Sequence, residues 1–554
     1  MQKHTKKGAV TFVIALLTST APVLYFFYKY AINLPYLDDF WAVYDFTWLA
    51  KQGYENERKL IPEYLFSSNL EHIIAYTKAS SLVLYYLLKE KFSLIYLMII
   101  GNFSWLASIA TMGFVFYKQT KASWLWLAFF PLIGISLQFN ENYFWGMASH
   151  QNFSVTLFAI LALYSLIFIQ NQKLNVIFGL FFAIIAYLTS STGVIIFYVG
   201  TIIFVLQKRY YWAGVYLIFS VVCSIILFQM SVALDGSTID IDEILNTISF
   251  VGSIAHFANS NVLSIIFGMV LCFFFTYYVF QSGVTTGKRL DKAELFFLSL
   301  ILFVLIVGIV AGLKRPNVLL SRYKHYSAIA TLASVCLVFV KFHSAEKLNK
   351  SIFLPVTFTL AFVYNLLSTV IYAYDVRKHY EYLTADTYNW YVNDKLTAQF
   401  QAFCDNDYYR NMLKDLKINI PKNDKIDFLI KNLKNTPKSG ETIAIDTSFR
   451  VEKTAAGCAM KMLNISAILP ENISSADDYY LVLSAENKDF VFSLFPERNG
   501  LFETIKRQST YSQILTQTVH LQYLPEGNYE MSIVRFANQM AEKYGNKKRV
   551  LVEN

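Results

Sequence analysis

The sequence predicts a polytopic α-helical membrane protein with about eleven transmembrane helices, followed by a C-terminal extracytoplasmic domain of α+β or β-rich type. Three observations carry this reading. A chain that is 55% hydrophobic and 17% aromatic, with only 16% charged residues, does not have the composition of a soluble protein. Apolar runs long enough to cross a ~30 Å hydrocarbon layer recur to about residue 373, with the charges concentrated between them. Beyond that point, text such as KNDKIDFLIKNLKNTPKSGETIAIDTSFR is water-facing in character. The chain therefore divides into a membrane domain, 1–374, and a soluble domain, 375–554.

The first apolar run follows a basic start, with Lys3, His4, Lys6 and Lys7. It is too long for a signal h-region and has no small-x-small cleavage site, so it is read as a retained helix with its N-terminus in the cytoplasm. The loop NLPYLDDFWAVYDF, residues 33–46, then lies outside. Further spans are expected near 93–116, 122–139, 151–169, 175–190, 192–206, 211–231, 262–281, 295–313, 326–340 and 352–373. This arrangement keeps the basic stretches YKQTK, QNQK, QKR, GKRLDK and KFHSAEKLNK on the cytoplasmic side. It requires EHIIAYTKASSLVLYYLLKEK, 71–91, to lie along the outer interface rather than cross. The short pair around 192–206 is also readable as a re-entrant hairpin. In the soluble domain, YYLVLSAENKDFVFSLFP and YEMSIVRFA alternate as half-buried strands do, after a helical stretch near 376–435.

The net charge of +9 does not call for a nucleic-acid partner, because many basic residues fall in short loops that membrane topology already explains. The five cysteines show no metal-ligand spacing. Cys404 and Cys458 are open to either reading, a disulfide in an extracytoplasmic tail or two free thiols. Asn464-Ile-Ser and Asn472-Ile-Ser match a glycosylation pattern that is common by chance.

One loop breaks the charge rule. LKRPNVLLSRYKHY, 313–326, places Lys314, Arg315, Arg322, Lys324 and His325 on the outside. Either an anionic ligand or lipid headgroups would account for them. The same side collects Asp38, Asp39, Glu71, His72, Glu141, Asn142, Trp145, His150, Gln151 and Tyr323. Ionisable groups at membrane level are costly, so such a gathering is a candidate site. Bland readings stand beside this one: Asp38 or Asp39 as a helix N-cap, Glu71 and His72 as a polar helix edge, Glu141, Trp145 and Gln151 as belt residues.

The pattern resembles the GT-C superfamily of integral-membrane glycosyltransferases, in which an acidic residue or pair follows the first span. Here that is LDDFW, with Asp38 and Asp39. The chain looks closest to a bacterial branch with a later Asn-Glu-His-Arg motif and a Trp-Gly-x-Gln motif. SNLEHIIAYTK keeps Glu71 and His72 without the adjacent Asn and Arg, and ENYFWGMASHQNF keeps Glu141, Asn142, Trp145 and Gly146 with its glutamine, Gln151, displaced.

The resemblance implies transfer of a sugar, with inversion, from a polyprenyl-phosphate-sugar donor to an envelope glycan, lipid or other acceptor. The reaction would take place on the periplasmic side of a bacterial cytoplasmic membrane. Asp38 or Asp39 would be the general base, and Arg315, Arg322, Tyr323, Lys324 and His325 would hold the donor phosphate. Glu71, His72, Glu141, Asn142, Trp145, His150 and Gln151 would bind substrate. No metal or other cofactor is required, although paired aspartates leave room for a divalent ion. The competing class is a transporter or flippase of a lipid-linked saccharide, which calls for ionisable residues within several spans or for inverted repeats.

Overall fold

The computed structural model describes residues 2–56, 61–69, 72–89, 91–230, 240–257, 261–282, 290–315, 318–344, 350–396, 406–420, 424–439, 443–453, 459–470, 477–485, 488–499, 511–521, 524–537 and 540–552. Glu71, Cys404, Cys458 and Asn472 lie outside these. The chain forms two compact units. One comprises residues 1–29, 49–86 and 95–374, and the other 30–48, 87–94 and 375–554. The loop carrying Asp38 and Asp39, placed by sequence in the membrane domain, thus belongs to the second unit.

Among the described residues of the chain, nine helices are long and apolar enough to cross a membrane: Lys6–Tyr30, Leu94–Thr120, Gly146–Phe168, Gln172–Thr189, Tyr210–Gln229, Asn261–Ser282, Lys292–Leu313, Ser321–Lys341 and Leu354–Asn393. Two of the eleven expected spans take another form. The apolar stretch Ser191–Leu206 is a shorter helix that opens with a 3-10 turn. The expected span 122–139 is instead a chain of short helices, Trp124–Leu127, Phe129–Gly134 and Leu137–Phe139, continuing into Asn140–Phe144. The expected interfacial segment forms the helix Ala75–Leu87, whose 13 residues are too few to cross. It follows a small antiparallel ribbon of β1 (Ser68–Asn69) and β2 (His72–Ile73).

The broken stretch runs through protein rather than lipid, since residues 126–140 are all buried. Carbonyls freed by the breaks would be costly there without partners. Asn365 Nδ2 donates to the carbonyls of Leu132 (2.9 Å) and Ile135 (2.8 Å), and Trp105 Nε1 donates to that of Gly134 (2.7 Å). Ser136 and Ser368 hydroxyls both accept from Gln138 N at 3.2 Å.

A further helix, Ile241–Val251, is too short to span and was not expected. It packs tightly because two glycines admit it. A Cβ on Gly268 would lie 2.0 Å from the Ile248 carbonyl oxygen, and one on Gly312 would lie 2.2 Å from Thr247 Oγ1.

The second unit centres on a seven-stranded antiparallel sheet of order β3-β4-β7-β6-β5-β8-β9. Its strands are β3 (Ala444–Lys453), β4 (Ala459–Ile468), β5 (Asp478–Ala485), β6 (Lys488–Arg498), β7 (Tyr511–His520), β8 (Gly527–Ala537) and β9 (Met540–Val552). β6 bends at a register shift between Pro496 and Arg498, so it pairs with β5 before the bend and with β7 around it. One face of the sheet closes on a core that includes Leu463, Ile465, Leu481, Phe492, Leu515 and Ile533. On the other face Tyr480, Val482, Val491 and Val534 pack with Ala385, Tyr388, Ile426 and Leu429 from two helices, Lys350–Asn393 and Asp424–Asn432. The helix also covers a strand edge: the Asn389 carboxamide donates to the Val491 carbonyl (2.7 Å) and accepts from its N–H (2.8 Å), and Asn393 donates to the Asp489 carbonyl.

Replacing Asn365 with Ala should lower stability by about 1–3 kcal/mol, because two buried carbonyls lose their donor. Ser334→Ala, at a hydroxyl bonded within its own helix, should not. Thermal melting of the purified chain in detergent checks this, and equal melting points for both variants would refute it.

Candidate active site

In the first unit, the turn Leu137–Phe144 and the segment at 315–325 are laced together. Ser321 Oγ donates to the Gln138 carbonyl (2.8 Å) and accepts from Glu141 N (3.1 Å). Glu141 Oε2 in turn accepts from Arg322 N (3.2 Å) and from its guanidinium (3.4 Å). Asn142 Nδ2 donates to the Arg322 carbonyl at 2.9 Å and is itself held through Oδ1 by Asn152 Nδ2. The Arg322 guanidinium lies 5.3 Å from the Trp145 ring.

A second guanidinium is close by. Arg315 donates to the Tyr323 hydroxyl and to His72 Nε2, 3.1 Å away. His72 Nδ1 meets Ser191 Oγ, so the imidazole is positioned at both nitrogens. The Tyr323 ring has Arg315 at 5.4 Å and Arg322 at 5.3 Å. Arg315, Arg322, Tyr323, His72, Glu141, Asn142 and Trp145 therefore form one connected group.

Of the other expected residues in this unit, Lys324, His150 and Gln151 stand elsewhere, and His325 lies behind the group, 3.3 Å from Asn142 Nδ2. Lys324, 2% exposed, donates to the Tyr372 hydroxyl (2.7 Å) and to His256 Nδ1 (3.2 Å). His325 is fully buried; its Nδ1 donates to the Arg322 carbonyl (2.9 Å) and its Nε2 lies 3.2 Å from Thr156 Oγ1, against the rings of Trp105 and Phe153. His325 is thus a packing and orienting residue. His150 is also fully buried, beside Thr77 Oγ1 (3.1 Å) and stacked on Tyr76, and Gln151 is buried with it.

Sequence reading missed Gln138. Its carboxamide nitrogen donates to the carbonyls of Ile254 and His256 and to the Tyr372 hydroxyl, while Tyr364 donates to its oxygen. Ser191, Asn152 and Ser321 were missed as well. Nothing in their local spacing marks them, except that Ser191 lies in a break between two apolar runs.

Asp38 and Asp39 are in the second unit and differ from each other. Asp39 is 1% exposed, and its Oδ2 accepts from Tyr36 N at 3.1 Å, closing a turn in which Leu37 has a φ of 43°. Asp38 is half-buried, and its carbonyl accepts from Ala42 N. The loop is pinned within its unit: Asn33 bridges the Asn419 carbonyl and Leu94 N, Trp48 donates to Asp415 and Tyr408 donates to Asp45. Burial, and then the Asp39 charge, hold the Tyr44 phenol well above its usual range.

No group of three or more His, Cys, Asp or Glu side chains suited to a metal ion occurs among the described residues. No protein-family model, curated protein or solved structure matches the chain.

His256 supplies a pH test. Burial, and then the neighbouring Lys324 ammonium, push its imidazole down to about 4, so it stays neutral and accepts from Lys324. An unfolded histidine takes its proton near 6.5, so the stability from this group is present above that pH and is lost as pH falls towards 4. The melting temperature should therefore fall between pH 6.5 and 4, and His256→Gln should make that fall shallower. An unchanged slope would remove His256 from the account.

Proposed function

We propose that this protein is a membrane glycosyltransferase that moves a sugar from a polyprenyl-phosphate-linked donor to a glycan, lipid or other acceptor on the outer side of a bacterial cytoplasmic membrane, inverting the anomeric centre. The observation that carries the reading is the pair of guanidiniums, Arg315 and Arg322, held around one ring, Tyr323. Guanidinium forks pair bidentately with phosphate oxygens, and Glu141 and Tyr323 already hold these two in fixed positions. A phosphate gains charge as its bond to the sugar breaks, and preorganised guanidinium donors favour its departure.

Glu141 fixes Arg322 through two donors of the same residue. His72, oriented by Ser191, and Trp145 are polar and aromatic groups suited to sugar hydroxyls and a sugar face. The attacking hydroxyl must lose a proton, and a carboxylate of the DD loop is the assigned base. The Asp39 carboxylate already closes its own turn, which counts against it in that role. The base and the phosphate site are assigned on separate units, and each has its own variant.

A lipid-linked saccharide transporter is the second reading, favoured by the buried Lys324–His256–Tyr372 group between helices.

The test is transfer of labelled sugar from a synthetic polyprenyl-phosphate-sugar in membranes holding wild type or a variant. Asp38→Asn should cost about 10²–10⁴-fold in rate with donor binding retained. Arg322→Ala and Arg315→Ala should each cost about 10²–10³-fold, and Asp39→Asn should act chiefly by lowering the melting point. Should wild type turn over no donor, or all variants transfer equally, the reading fails, and translocation in proteoliposomes becomes the measurement to make.

A further inference from the structure

The outer face of β3, β4 and β7 is chemically unlike the rest of the second unit. Register aligns two complete cross-strand rows on it: Asp446, Ser466 and Thr516 in one, Ser448, Asn464 and Thr518 in the other. The alternate residues, Ile445, Leu463, Ile465, Leu515 and Val519, enter the core, so the strand period fixes which set points outward. All six outward side chains are short and bear hydroxyl, amide or carboxylate groups. Lys378 and Glu497, both longer, stand beside them, and together these residues line a cavity of about 490 Å³.

A merely solvated sheet face has no need of this composition. The rows that flank the two polar rows on the same face carry longer side chains, Arg450 and Met462 on one side and Ile468, 57% exposed, on the other. Here a floor of short polar groups leaves space within the ~300–1,000 Å³ range of small-ligand sites. The floor is a grid of donors and acceptors about 4.8 Å apart across strands and about 6.7 Å along them. Two of its members, Thr518 and Asn464, already share a hydrogen bond of 2.8 Å, so their remaining lone pairs and amide hydrogens are held in fixed directions.

The charges narrow the ligand. With the Lys378 ammonium set against two carboxylates, Glu497 beside the floor and Asp446 within it, the cavity has no cationic excess for a phosphate, a nucleic acid or an anionic lipid, and its one aliphatic lining residue, Ile465, is too little wall for an acyl chain. A ligand dense in hydroxyls, neutral overall and flexible in its hydrogen-bond directions suits it. We infer that this face of the C-terminal sheet is an oligosaccharide-binding site. It rests on the glycosyltransferase reading only for its role, which is to hold the acceptor glycan; the binding itself follows from the face.

The experiment uses the full chain in nanodiscs and, as probe, fluorescently end-labelled oligosaccharides released by mild acid hydrolysis from the envelope glycans of the source cells. Wild type should show saturable binding by fluorescence polarisation, and the Asn464→Leu/Thr518→Val double variant should weaken it at least tenfold. Ser466→Val, a smaller change on the same row, guards against a folding defect and should weaken binding severalfold at an unchanged melting temperature. Absence of saturable binding to wild type, or equal binding by wild type and Ser466→Val together with an intact double variant, overturns the inference. Asp38→Asn should bind the probe as wild type does. Binding without sugar transfer would leave the groove standing and sink the glycosyltransferase reading, whereas transfer without binding would do the reverse.

Discussion

The first unit depends on one carboxamide. Asn365, 1% exposed on a long helix, donates to two carbonyls that the breaks around Pro131 and Gly134 leave without helical partners. A buried carbonyl without a donor costs about 1–3 kcal/mol, and two together would favour a continuous helix through this stretch. With Asn365, Trp105 and Ser368 in place, the chain can leave the helical path at Ile135. That departure is what brings Gln138, Glu141 and Asn142 against the 315–325 segment. The polar group on Tyr323 is therefore a consequence of a backbone break that apolar neighbours alone could not sustain.

Local geometry explains why the four cations and histidines of that segment, Arg315, Arg322, Lys324 and His325, do not act as one site. Successive residues after a turn point in different directions, so Arg322 and Tyr323 face one group together, Lys324 turns away from it and His325 packs behind it. Arg322 meets a carboxylate and two rings, Lys324 a phenol and an imidazole, and His325 a carbonyl and a threonine. His256, beside Lys324, is pushed down to about 4 by burial and then by the neighbouring ammonium, so its imidazole is neutral there across the neutral range.

Hydropathy made most of the membrane-length helices legible, since twenty apolar residues in a row have few other uses. It failed at 122–139 because the length of an apolar run does not reveal whether it is helical; Pro131, Gly134 and Ser136 were the available signals, and only the partners supplied from residues 105, 365 and 368 decide the outcome. It also passed over Ile241–Val251, whose 11 residues are too few to register as a span. Strands β5, β6 and β8 were legible as strands, but they are buried on both faces, one in the sheet core and the other under helices, where the sequence suggested half-buried strands. The site was legible as a set of residue types on one side of a topology, and for Arg315, Arg322, Glu141, Asn142, Trp145 and His72 that set is a connected group. Sidedness could not separate off Lys324, His150 or the DD loop, because it carries no information about contacts.

The two aspartates show how far residue type alone can be pushed. Both are acidic, adjacent and flanked by aromatics, and the sequence gives no ground for preferring either as a base. Geometry does. A carboxylate that accepts from the Tyr36 amide, on the residue just before the left-handed Leu37, is part of what keeps Leu37 at a φ of 43°, a conformation costly for leucine. Removing the Asp39 carboxylate would release the turn, so that group has a structural task. A base must gain and lose a proton without that consequence, and this turn counts against Asp39 in that role.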